Sequence, residues 1–163
     1  MSNARIEKLF SKIQETNDKL DALYLERRQA IEQLSDCYDM VDKLKEEKAT
    51  LLPLLASTKR DLTNYYERIK NYQDWEKRQS DEKSKLIAAK NISVLEQNIS
   101  KVKSRLTIYE EKNSKIQTEL DKIYLKIKEL NIRKSSTLDE IKVLKQKKIE
   151  YKNSIDNLKS KHK

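Results

Sequence analysis

The chain has 163 residues, no glycine and one proline, and 39% of it is charged against 36% apolar or aromatic. Glycine normally makes up about 7% of a protein, so its absence argues against tight turns, phosphate-cradling loops and most mixed α/β folds. The net charge of +9 is uneven: residues 1–90 hold 18 Lys and Arg against 17 Asp and Glu, and residues 91–163 hold 18 against 10. The second half therefore carries a positive field that draws acidic partners and weakens with salt.

No run approaches the roughly 18 apolar residues of a membrane span, and no charged-then-apolar signal peptide precedes the first apolar stripe. The reading is a soluble, intracellular, cytoplasmic protein. Met1-Ser2-Asn3-Ala4 reads in part as an expression remnant and carries no weight. Cys37 is the only cysteine, so no intrachain disulfide forms, and it stands where a small apolar residue belongs. The single histidine, His162, is next to the last residue, so no histidine triad or metal cluster can be assembled. Acidic residues recur four positions from lysines, as on ordinary solvated helix faces. The expectation is no enzyme, no cofactor and no metal.

From Ile6, steps of seven give Ile13, Leu20, Arg27, Leu34, Val41, Lys48, Leu55, Leu62 and Ile69. The companion series runs Leu9, Thr16, Leu23, Ala30, Cys37, Leu44, Leu51, Thr58, Tyr65 and Tyr72, and Leu86 keeps its phase. Sixteen of these twenty positions, Leu86 aside, are apolar or tyrosine, the signature of a left-handed supercoil. Pro53 lies inside this stripe. It removes a backbone donor, and a kink or short break is expected over 49–53, with the unbroken phase favouring a bend.

Residues 71–91 change texture. The only tryptophan, Trp75, stands among charges, and Tyr72, Trp75 and Arg78 are candidate partner contacts. Packing against the opposite helix is the competing role for Trp75. Then Ser93-Val94-Leu95-Glu96 has the form of a capping box, and Asn91 suits a left-handed turn. Extending the first series predicts stripe residues at Lys90 and Ser93, whereas the stripe falls at Ile92 and Leu95.

From there one series reads Leu95, Val102, Tyr109, Ile116, Ile123, Leu130, Thr137, Leu144, Tyr151 and Leu158. The other reads Ile92, Ile99, Leu106, Asn113, Leu120, Ile127, Lys134, Ile141, Lys148 and Ile155. Asn113, Lys134 and Lys148 are polar stripe residues of the kind that fix register. The fold class expected is all-α: one elongated antiparallel coiled-coil hairpin over 1–163. Helix 1 spans about 5–89, the turn lies near 90–93, and helix 2 spans about 93–160. The first twenty or so residues are then left overhanging. A parallel dimer of continuous helices is the alternative.

The last thirty-one residues hold ten basic and four acidic groups. Their positive charges scatter round the helix and the tyrosines read as stripe residues. A solvated basic face or a dock for an acidic protein is therefore favoured over nucleic acid.

The segment Asn71-Tyr72-Gln73-Asp74-Trp75, a charged run, and then Val94-Leu95-Glu96-Gln97 resembles the small stalk proteins of type III secretion and flagellar export, the FliJ/YscO-type family. The likeness covers about residues 65–130. It implies a non-enzymatic cytoplasmic stalk, peripheral to a membrane-bound complex. In that family the hairpin inserts into a hexameric secretion ATPase and reaches toward the cytoplasmic ring of the export gate, coupling ATP turnover to export. On this likeness Tyr72 and Trp75 are the motif aromatics near the tip, and Leu95-Glu96 opens the return helix. The alternative is a structural scaffold or tether subunit, cytoskeletal or kinetochore-like, pairing with another coiled coil in a homo- or hetero-oligomer.

Overall fold

The computed structural model describes residues 2–161, Ser2 by its backbone alone, so His162 lies outside the described residues. Two helices account for nearly all of it: α1, Ser2–Arg78, and α2, Glu82–Ser160. Lys, Leu and Glu are the commonest residues of the chain, and they lose little rotamer freedom on entering a helix. The helices pack antiparallel as a hairpin, and the contacts divide into two compact units. One holds residues 1–40 with 122–163, and the other holds residues 41–121 and the turn.

The turn is at Gln79-Ser80-Asp81, not near 90–93. Lys77 and Arg78 place positive charge in the last turn of α1, where the free carbonyls and the helix dipole favour it. The Gln79 amide donates to the Glu76 carbonyl at 3.1 Å and tightens that end. Asp81 then caps α2. Its Oδ1 accepts from the Lys83 amide at 3.1 Å, its Oδ2 accepts from the Ser84 hydroxyl at 3.3 Å, and its carbonyl accepts the Lys85 amide at 3.1 Å.

The expected capping box is not used. Asn91, Ser93 and Glu96 are all within α2, with Ser93 and Glu96 exposed. An S-x-x-E spacing inside a helix has no free amide to cap, because those amides already bond four residues back. Asp81→Ala is expected to lower stability by about 1 kcal/mol and Ser93→Ala to leave it within a few tenths, both read from urea melts.

This turn gives helices of 77 and 79 residues, so no overhang of twenty residues remains. Within the unit of residues 1–40 and 122–163, Lys12 Nζ lies 5.8 Å from the Tyr151 ring centroid and Lys159 Nζ lies 5.8 Å from that of Phe10. Every residue of the four seven-residue series is buried or half-buried. In this unit Leu20, Ala30, Leu34 and Cys37 are buried on α1, and Ile127, Leu130, Ile141 and Ile155 on α2.

In the unit of residues 41–121, Ile69, Leu95 and Ile99 form a buried cluster packed by Leu62, Tyr65, Tyr72 and Ile92. Pro53 is solvent-exposed, and α1 continues through it without a break. Buried threonines satisfy their hydroxyls on their own helix: Thr16 on the Lys12 carbonyl at 2.8 Å, Thr58 on that of Leu54 at 2.7 Å and Thr137 on that of Lys134 at 3.0 Å.

The phase of burial explains why the turn falls where it does. Leu86, in phase with α1, is 72% exposed, whereas Ala88, seven residues before Leu95, is fully buried. Gln79 is the last residue on the α1 stripe, and by Ala88 the chain already follows the α2 phase.

Candidate functional site

The end of the hairpin, within the unit of residues 41–121, carries a groove built by both helices. Arg68, Asn71, Tyr72 and Trp75 line it from α1, and Ile87 and Asn91 from α2. Positions 68, 72 and 75 recur at helical spacing on one face, as do 87 and 91, so the groove follows directly from the two helical periods. Tyr72 is half-buried and packs on the cluster of Ile69, Leu95 and Ile99. Trp75 stands three residues before the end of α1 and keeps 39% of its surface exposed. Arg78, the last residue of α1, is exposed and lies outside the groove lining.

Of the three candidate contacts Tyr72, Trp75 and Arg78, the first two line one groove, and their neighbours there were not expected from the sequence. Asn91 is a groove residue, not a turn residue. Ile87 is 50% exposed, and Val94, one heptad on along the same helix face, is also 50% exposed. The signal available was an apolar pair, seven residues apart, out of phase with the stripe. Together these residues give an apolar and aromatic surface edged by the Arg68 guanidinium and the Asn71 and Asn91 amides. Such a surface offers a ring and aliphatic contacts to a partner, with polar groups at its rim.

The three register residues lie elsewhere on α2, all half-buried. Asn113 Oδ1 is buried and without a hydrogen-bond partner, the arrangement that lowers stability at a stripe position. Arg27 Nε on α1 is in the same condition. Among the described residues two polar side-chain contacts cross between the helices: Lys48 Nζ donates to Gln117 Oε1 at 2.9 Å, and Arg133 Nε lies 3.4 Å from Glu26 Oε1.

The tyrosines do not all belong to the stripe, as the sequence reading had it. Tyr24, Tyr38, Tyr66 and Tyr124 are exposed beside it, and Lys145 and Lys103 reach within 5.5 and 5.6 Å of the Tyr24 and Tyr66 ring centroids. Each of these tyrosines is one position past a stripe residue, at the edge of the seam, where a ring can pack its base and leave its rim in water. No helix among the described residues is long and apolar enough to cross a membrane. In comparisons with protein-family models, with curated proteins and with solved structures, nothing matches this chain.

Proposed function

We propose that the chain is a non-enzymatic protein-contact element of the cytoplasm, a coiled-coil hairpin that closes its own seam and offers its tip to a partner. The observation that carries this reading is the tip groove. Trp75 and Ile87 remain substantially exposed there, although each helix has a partner to bury its stripe. An exposed tryptophan lining a groove with an exposed aliphatic residue and a polar rim is the kind of surface a protein partner contacts.

Two forms of the reading differ in partner. As a scaffold or tether subunit the hairpin joins other coiled-coil components of an assembly. As a central stalk it enters a secretion ATPase hexamer and reaches an export-gate ring, at the periphery of a membrane-bound complex. Tyr72 and Trp75 near the tip favour the stalk. Leu95-Glu96 counts against it, because that pair sits well inside α2, which starts at Glu82, and does not open it. On this ground we put the scaffold form first.

Photo-crosslinking from position 75, with exposed Ser104 as control position, tests this. A partner captured from 75 and not from 104, and lost with Ile87→Ser, is the expected result. An assembly component identified in that adduct supports the scaffold, and an ATPase supports the stalk. Equal capture from both positions sinks the tip reading. Trp75→Ala is expected to leave the melting temperature within about 2 °C, because a partly exposed side chain contributes little to the seam.

A further inference from the structure

The unit of residues 1–40 and 122–163 has a third apolar row besides its seam. Phe10, Tyr24, Ile31 and Tyr38 stand one position past the stripe residues Leu9, Leu23, Ala30 and Cys37, and each is between 38% and 51% exposed. Their separations are seven or fourteen residues, so they lie along one edge of α1. Beside them, α2 supplies lysines. Lys145 Nζ is 5.5 Å from the Tyr24 ring centroid and Lys159 Nζ is 5.8 Å from that of Phe10. A groove on this flank is lined by Asp21 and Tyr24 from α1 and by Lys145, Lys148, Ile149 and Lys152 from α2. Among the described residues none of these lysines has a carboxylate within ion-pair distance, the one such pair being Arg133 with Glu26.

We propose that this flank docks an acidic amphipathic helix of a partner protein, one that presents apolar residues at seven-residue spacing between glutamates or aspartates. A helix whose apolar face reaches beyond the two seam positions has more apolar width than one neighbour covers, and a further helix completes it. Lys145 and Lys159 hold their ammonium groups over the Tyr24 and Phe10 rings, and among the described residues no carboxylate pairs with them. An acidic helix laid there meets apolar surface in the middle and positive charge at the side.

The same charges disfavour the other occupants. A second copy of this chain, itself carrying +9, brings lysine against lysine. Single-stranded nucleic acid needs open ring faces for stacking, and at Tyr24 and Phe10 the chain's own lysines lie over them. These residues are remote in sequence from Trp75, and the flank binds independently of the tip.

The test uses the full chain and a fluorescein-labelled 21-residue helical peptide, three heptads long, with leucines at the seam positions and glutamates on its other faces. Its twin carries serines in place of the leucines at equal charge. Fluorescence anisotropy in 50 mM salt is expected to show the leucine peptide binding at least tenfold more tightly than the twin. Lys145→Gln with Lys152→Gln is expected to weaken it tenfold or more, with an unchanged helical signal by circular dichroism, while Trp75→Ala leaves it unchanged.

Equal binding of both peptides reduces the flank to ion exchange and overturns the proposal, as does no binding of either. Tighter binding of poly(U) RNA or of phosphatidylserine vesicles through the same two lysines overturns it in favour of those ligands. Self-association that Tyr24→Ser and Tyr38→Ser abolish assigns the flank to a second copy and also overturns it.

Discussion

Ala88→Glu is expected to destabilise the hairpin by about 3 kcal/mol, whereas Leu86→Glu, two residues earlier, is expected to leave stability within about 0.5 kcal/mol. Ala88 has no exposed surface and Leu86 is 72% exposed, so the first change drives a carboxylate into the seam and the second adds one to solvent. Overpacking and an unpaired buried charge act together at residue 88, and neither arises at residue 86. Urea titration followed by circular dichroism reads both midpoints. The pair also decides the turn. A chain that stayed in the α1 phase up to residue 89 would bury Leu86 and expose Ala88. Loss of stability from Leu86→Glu with tolerance of Ala88→Glu would therefore move the turn past residue 86.

The same two residues show how far the sequence could be read. Away from the turn the seam was legible: a seven-residue repeat states which residues face a partner helix, and every residue of the four series is buried or half-buried. The turn was misread because its signals are weak and a decoy is strong. Gln79 and Glu76 are polar members of the α1 stripe, so its last turn looks like a loss of pattern. Ala88 is too small to register as a core residue, yet between two close helices a methyl group is what fits. Leu86 falls in the α1 phase by coincidence, extends that stripe on paper and carries the expected helix past its real end. Asp81, which caps α2, sits in the polar run from Arg78 to Ser84, where no apolar residue marks a boundary.

The flank of the unit of residues 1–40 and 122–163 was half legible. The spacing of Phe10, Tyr24, Ile31 and Tyr38 is present in the sequence as a third row beside the two seam rows. Which α2 residues lie against that row depends on the pairing register, and the register depends on the turn. A turn near 90–93 would shift α2 by several helical turns along α1 and would put other residues opposite Tyr24. The lysine placement over Tyr24 and Phe10 is thus a long-range consequence of three residues, 79 to 81, and local pattern alone does not reveal it.

Pro53→Ala is expected to raise stability by about 2–3 kcal/mol. Proline inside a helix leaves the carbonyl four residues back, that of Ala49, without its amide and crowds it with the pyrrolidine ring. At this site nothing in the fold offsets that loss, because Pro53 faces solvent while its neighbours Leu51 and Leu55 fill the seam. The replacement removes no seam contact and restores one backbone hydrogen bond.

The flanking turns already carry side-chain bonds to helix carbonyls, from Thr50 to Glu46 at 3.1 Å and from Thr58 to Leu54 at 2.7 Å. Such bonds accompany slight bending of a helix. If α1 needs a bend here to keep Leu51 and Leu55 against α2, alanine would straighten it at the expense of the seam. The midpoint would then stay unchanged or fall. A rise in the urea midpoint at unchanged slope assigns Pro53 as a tolerated interruption, and a fall assigns it as the residue that shapes α1 to its partner helix.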